Sequence, residues 1–208
     1  MTTNHPLKPF ELSGERDKPQ RSVLLIGKSQ LILDQSVAGL RDLGYNAEAT
    51  NDFTDVTGRF DVTEIDLVVF GGQVPPDRKA ELREEIGANN PRIIFVQGLA
   101  GIPGLIINQV QGAFTANHQG LTRAPTYTPE NRTIRLTLAE PADVTVTIWW
   151  QTSFVPPDPK SDSLLLLNDR LAGGDHAIPV PEHIPPKAAF ATVKIDAAIY
   201  AFSIATEP

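Results

Sequence analysis

The chain has no cysteine, a single methionine and only two tryptophans among its 208 residues. Without cysteine there is no disulfide framework, no thiolate metal site and no cysteine nucleophile, and the composition suits a reducing compartment. Long hydrophobic runs are missing as well. Leu67–Phe70 and Leu164–Leu167 are strand-length, far short of the ~20 residues of a membrane helix. The first twenty residues are polar and carry no apolar core of a secretory signal, so the expectation is a cytoplasmic protein that does not contact a membrane. Positive charge is scarce, with 18 Lys and Arg against 25 Asp and Glu. Neither half gathers its bases into the stripe that neutralises phosphates, which argues against a nucleic-acid partner. The four histidines, His5, His118, His176 and His183, fall in apparent tails and loops at no metal-ligand spacing. His176 stands in GGDHAIP, where Gly-Gly-Asp is a turn signal. No metal site, no cofactor and no catalytic residue is assigned.

What is present is a 41% apolar chain, enough for two small cores, and its pattern changes near residue 115. Before that point Val23–Ile26, Leu67–Phe70 and Ile93–Val96 read as strands buried on both faces. A helix between the first two places Leu33, Val37 and Leu40 on one side, with Ser29 as its N-cap and Gly44 at its end. A second helix begins at Pro75-Pro76, turns Leu82 and Ile86 inward and stops at Gly87. Alternating strands and helices imply right-handed βαβ units around a parallel sheet. After residue 130 the helical period gives way to alternation in RTIRLTL and DVTVTIWW, with Pro-rich connections. That pattern reads as a small antiparallel β-sandwich. The division expected is a polar tail over 1–20, an α/β domain over 21–115, an exposed linker over 116–130 and a β-sandwich over 131–208.

The stretch VLLIGKSQLILDQSVAGLRDLGYNA, Val23–Ala47, together with IDLVVFGGQVP, Ile65–Pro75, resembles the receiver domain of bacterial response regulators. The resemblance covers about residues 22–98 and implies a flavodoxin-like fold. It also implies which residues should carry phosphotransfer, and these are replaced. Gly27-Lys28 stands where the family has metal-binding acids, and Gly71 stands at the phosphoacceptor position. The fourth strand ends in Val96-Gln97-Gly98 instead of a hydroxyl residue, and no lysine occurs between Lys79 and Lys160. A phosphoaspartate switch needs a carboxylate nucleophile, a cation site and phosphate-holding groups, so a phosphorylation-incompetent pseudo-receiver is expected. The chain after Gly98 leaves room for one helix, and a fifth strand is either missing or supplied by the linker.

The alternative is a Rossmann-like domain binding NAD(P), perhaps within an oxidoreductase. Its crevice would lie between Gly27, Lys28, Ser29 and Gln30 on one side and Gly71, Gly72 and Gln73 on the other. Leu31 and Leu33 stand where the dinucleotide fingerprint needs room for a phosphate. Gly27-Lys28-Ser29 is no P-loop end, because Ser22 occupies the position of its first glycine. In the second half Trp149 and Trp150 should point to opposite faces of their strand, one into the core and one outward. The outward one serves either as an interface anchor covered by the neighbouring domain or as a carbohydrate platform. Leu164, Leu165, Leu166 and Leu167 cannot all face one core, so they join the tryptophans as interface candidates. The function expected is non-catalytic: a regulatory or scaffolding protein with an immunoglobulin-like interaction domain and a protein partner or second copy.

Overall fold

The computed structural model describes residues 20–115, 121–153 and 159–205, without the side chains of 121 and 122. A four-stranded parallel sheet with helices on both faces is followed by two antiparallel sheets. The parallel sheet contains β1 (Ser22–Ile26), β2 (Asn46–Thr50), β3 (Leu67–Phe70) and β4 (Ile94–Gln97), in the order β2-β1-β3-β4. Every residue of β3 and all but the first of β1 are buried, because successive side chains enter different cores. Val23, Leu25, Leu67 and Val69 meet α1 (Gln30–Asp42) and α4 (Pro103–Thr115). Leu24, Ile26, Val68 and Phe70 meet α2 (Val56–Arg59) and α3 (Pro76–Asn89).

Local chemistry sets most helix ends. Ser29 caps α1, its hydroxyl accepting from the Ile32 N–H at 3.4 Å. Gly44 follows the helix with φ 85°, a left-handed conformation suited to glycine. Helix α3 starts after Pro75 but runs through Gly87 to Asn89, so Gly87 is not its stop. Asn90 closes it: its backbone N–H donates to Ile86 O, and its buried amide donates to Val62 O at 3.0 Å and Ile65 O at 2.8 Å.

The second half holds β5 (Leu121–Thr128), β6 (Thr133–Leu138), β7 (Ala142–Ser153), β8 (Lys160–Leu171), β9 (Gly174–Pro179), β10 (Ala189–Ile195) and β11 (Ala198–Ser203). They form sheets of order β5-β6-β9 and β11-β10-β7-β8, which share one apolar cluster centred on Ile134, Leu136, Val146, Ile148 and Val193. The linker over 116–130 is corrected by this arrangement. Leu121–Thr128 is strand β5, paired antiparallel with β6 through two register irregularities. Among the described residues no fifth strand joins β4. Instead α4 crosses to the α1 side, and the side-chain amide of Gln109 binds the edge of β4. Its Nε2 donates to Gln97 O at 3.0 Å, and its Oε1 accepts from the Leu99 N–H at 3.1 Å. No helix among the described residues is long and apolar enough to cross a membrane.

Candidate functional site

Three parallel strands end in glycine at the same level. Ile26 lies beside Phe70, and Phe70 beside Gln97, so Gly27, Gly71 and Gly98 stand side by side one residue further on. Each extends the ladder: Gly27 N–H donates to Thr50 O at 3.1 Å, Gly71 N–H to Ile26 O at 2.8 Å and Gly98 N–H to Phe70 O at 2.9 Å. The strands press closely here. A Cβ on Gly71 would lie 3.3 Å from the Gly27 Cα, and one on Gly98 would lie 3.3 Å from Phe70 O. The result is a floor of bare backbone at the carboxyl ends of β1, β3 and β4, where open α/β sheets place their ligands.

Above that floor is a crevice of about 490 Å³, within the range of small-molecule pockets. Ile32 and Leu33 of α1, Val69 of β3 and Ile106 of α4 form apolar walls. Lys28, Gln73 and Gln151 bring the polar side chains besides the capping Ser29. Among the described residues, Lys28 is the one ionisable residue in the lining. The crevice is closed partly by the second half, since Gln151, near the end of β7, and Pro159, just before β8, both line it. Pro159 approaches the α/β half closely enough that a Cβ on Gly101 would lie 3.7 Å from its Cγ.

Six of the seven crevice residues named from the sequence line this space: Gly27, Lys28, Ser29, Gly71, Gly72 and Gln73. Gln30 does not, because its amide turns along the helix to Asp34 Oδ1 at 2.7 Å. Leu33 leans over the floor, its Cδ2 3.3 Å from where a Gly27 Cβ would be, while Leu31 is 43% exposed and outside the lining. Gly98, Gly101, Gln151 and Pro159 were not foreseen. Gly98 carried the same signal as Gly27 and Gly71, a glycine directly after an apolar strand. Gln151 and Pro159 carried none, since they arrive from the second half. A group with a displaced titration, Asp52, lies just beyond the end of β2 and outside the lining. Hydrogen bonds from the Thr54 side chain and backbone, then the charge of Arg59, hold its carboxyl below the usual range.

Trp149 and Trp150 part company as strand neighbours must. Trp149 faces α4 in a cluster with Ile102, Leu105 and Phe190, and its Nε1 donates to Thr192 Oγ1 at 2.9 Å. Trp150 packs against the core between the antiparallel sheets. The leucine run lies away from the α4 cluster. Leu164 pairs with Ile148 and Leu167 with Val146, and Leu166 is the extra residue of a β-bulge. Leu164, Leu166 and Leu167 therefore pack against the same core, whereas Leu165 is 57% exposed. His176 is placed in strand β9, not a loop, with Nε2 2.8 Å from Ala172 O. His183 lies in a turn, and His5 and His118 lie outside the described residues.

No protein-family model matches the chain, and no curated protein matches it. Among solved structures, it is similar to an NAD kinase from Archaeoglobus fulgidus in complex with ATP. That likeness has a TM-score of 0.25 and 13% identity, over 86% of this chain and 83% of the kinase. A β-glucosidase from Listeria innocua in complex with glucose gives a TM-score of 0.26 at 10% identity, over 88% of this chain and 45% of the other. At these TM-scores neither fold nor function transfers, and the chain's own geometry carries the reading.

Proposed function

We propose that this chain is a non-catalytic regulatory protein, built on a flavodoxin-like, receiver-like α/β domain and an immunoglobulin-like β-sandwich that serves as its interaction domain. The all-parallel order β2-β1-β3-β4 supports the first part, being the first four positions of the 2-1-3-4-5 doubly wound order. Seven strands among the described residues, in two sheets around one core, support the second. The observation that carries the function is the chemistry at the strand ends. Gly71 has no side chain to accept a phosphoryl group, and Lys28 brings a cation to the rim where a receiver gathers acids around a metal. The site keeps the position of a receiver's active centre and replaces its reaction with a binding surface. Its partner is a protein or a second copy, in the cytoplasm.

The test is intact-mass analysis after incubation with acetyl phosphate and Mg²⁺. The expected result is no adduct; a stoichiometric phosphoryl group in residues 21–115 overturns the proposal.

A second reading, nucleotide binding in the manner of an NAD(P) protein, is favoured by one observation: the crevice collects Gly27, Ser29, Gly71 and Gly72 at the strand ends. Against it, Leu33 fills the space over Gly27 that a pyrophosphate would need. Calorimetry with NAD⁺ and NADPH decides, and micromolar affinity for either would promote this reading. The carbohydrate role of the sandwich has less geometry behind it, because Trp149 is covered by α4.

A further inference from the structure

Strand β4 is an edge strand whose free backbone groups form a self-matching pattern. Its alternate residues bond inward to β3: the Ile94 N–H donates to Asp66 O and the Gly98 N–H to Phe70 O, both at 2.9 Å. A parallel ladder uses every second residue, so Ile93, Phe95 and Gln97 turn their backbone groups outward. Two of those groups are already used within the chain. The Ile93 N–H donates to Asn90 O at 3.2 Å, and Gln97 O accepts from the Gln109 amide at 3.0 Å. The others, Ile93 O, the N–H and C=O of Phe95 and the Gln97 N–H, have no partner among the described residues.

A two-fold rotation about Phe95 exchanges Ile93 with Gln97. Laid antiparallel on a second copy, Phe95 pairs with Phe95 through both its groups, and each Gln97 N–H meets the other copy's Ile93 O. Every free group is then satisfied, and the two that a regular antiparallel ladder would also use are the two already bonded. An ordinary antiparallel peptide would instead leave one donor and one acceptor unmatched opposite them. The side chains agree in the same register. Ile94 stands opposite Val96 on the α4 side and Phe95 opposite itself on the α3 side, and such β-branched and aromatic cross-strand pairs stabilise sheets. Ile94 is 36% exposed, and Phe95 and Val96 are half-buried, so pairing covers apolar surface that one copy leaves in water. We propose that the chain forms a two-fold dimer by antiparallel pairing of β4 with β4 of a second copy, joining two parallel sheets edge to edge. The contact is short, because the Gln109 amide occupies the edge as far as the Leu99 N–H. Arg83 of α3, 5.9 Å from the Phe95 ring centre, also brings like charges toward the paired rings, so the dimer is a weak one. This goes beyond the regulatory reading and rests on neither the crevice nor the loss of phosphotransfer; a phosphoryl adduct would sink that reading and leave this one standing.

The experiment is sedimentation of the full chain from about 10 µM to about 1 mM, where monomer should pass to dimer with a dissociation constant on the order of 100 µM. Hydrogen exchange over the same range should show the Phe95 and Gln97 amides slowing severalfold, while those of Ile94 and Val96 stay as they are. Gln97→Pro removes an outward N–H at an edge, where proline is tolerated, and should stay monomeric throughout. If Gln97→Pro does not fold, Ile94→Lys takes its place, since a charge on an edge strand opposes pairing, and it too should stay monomeric. The proposal is overturned if the parent chain is a monomer at about 1 mM, if the Phe95 and Gln97 amides exchange alike at every concentration, or if the folded variant dimerises like the parent.

Discussion

Trp149 of β7 packs on the bare Cα of Gly104 in α4: a Cβ on that glycine would come within 2.5 Å of the indole Cη2. Two helical turns on, a Cβ on Gly112 would lie 2.5 Å from the carbonyl oxygen of Ile199 in β11. Residues i, i+4 and i+8 share one side of a helix, so these glycines let α4 lie close against the outer face of the β11-β10-β7-β8 sheet. The two halves of the protein are joined along that line, with Phe190, Ile102 and Leu105 filling it.

Alanine at these glycines should therefore destabilise, although alanine favours helix. Gly112→Ala meets a backbone oxygen that cannot rotate away and should cost about 1–3 kcal/mol, the range of overpacking. Gly104→Ala should cost less, because the Trp149 ring can shift. Gly87→Ala in α3, whose Cβ meets nothing within 4 Å, should instead stabilise by about 0.5–1 kcal/mol. Urea unfolding of the three variants reads all three signs.

Asn90→Ala should destabilise by about 1–3 kcal/mol, because it leaves the carbonyls of Val62 and Ile65 buried without their donor. Asn90→Asp should be no better, since a carboxylate cannot donate to either oxygen. Equal stability of Asn90→Asp and the parent protein at pH 7 would show that water supplies the missing bonds.

Gln109→Leu should open the edge of β4. The Leu99 N–H and Gln97 carbonyl lose their partner, and an unpaired edge is a template for association. Hydrogen exchange should show the Leu99 amide losing protection while the amides of β1 keep theirs. Light scattering should show more self-association at high concentration.

Alkaline stability should depend on Tyr45. Burial raises its phenol above the ordinary value of 10.0, an effect partly offset by the nearby charge of Arg21. The ring stacks on Phe114 of α4, with centroids 5.7 Å apart. A raised pKa means the folded state holds the proton more tightly. The contribution is fully present below about pH 10 and is lost as pH rises through the folded value. The urea midpoint of the parent should fall above pH 10, and that of Tyr45→Phe should fall less.

Local signals carried the α/β half a long way. The strand ending in Gly27, the cap at Ser29, the inward Leu33 and Leu40, and the pair Leu82 and Ile86 all follow from period, capping and turn chemistry. These act within a few residues and so can be read from the chain alone. Gly87 misled for the same reason. A glycine near a helix end signals a stop, but here the Asn90 amide, bonded to carbonyls some 25 residues earlier, sets the end.

By itself, then, the sequence determined that strands and helices alternate before residue 115, that strands follow, and that Gly27 and Gly71 sit at strand ends where carboxylates could have been. Tertiary structure decided what those segments meet. Leu121–Thr128, with its arginine and proline, is a strand because β6 offers it an edge to pair with. The leucine run turns three side chains to one core because a bulge breaks the alternation that a regular strand would impose. The crevice is complete because Gln151 and Pro159 arrive across the α4 joint. Hydrogen-bond ladders and packed surfaces between distant segments carry no imprint in either segment alone, and there the reading of residues one stretch at a time ends.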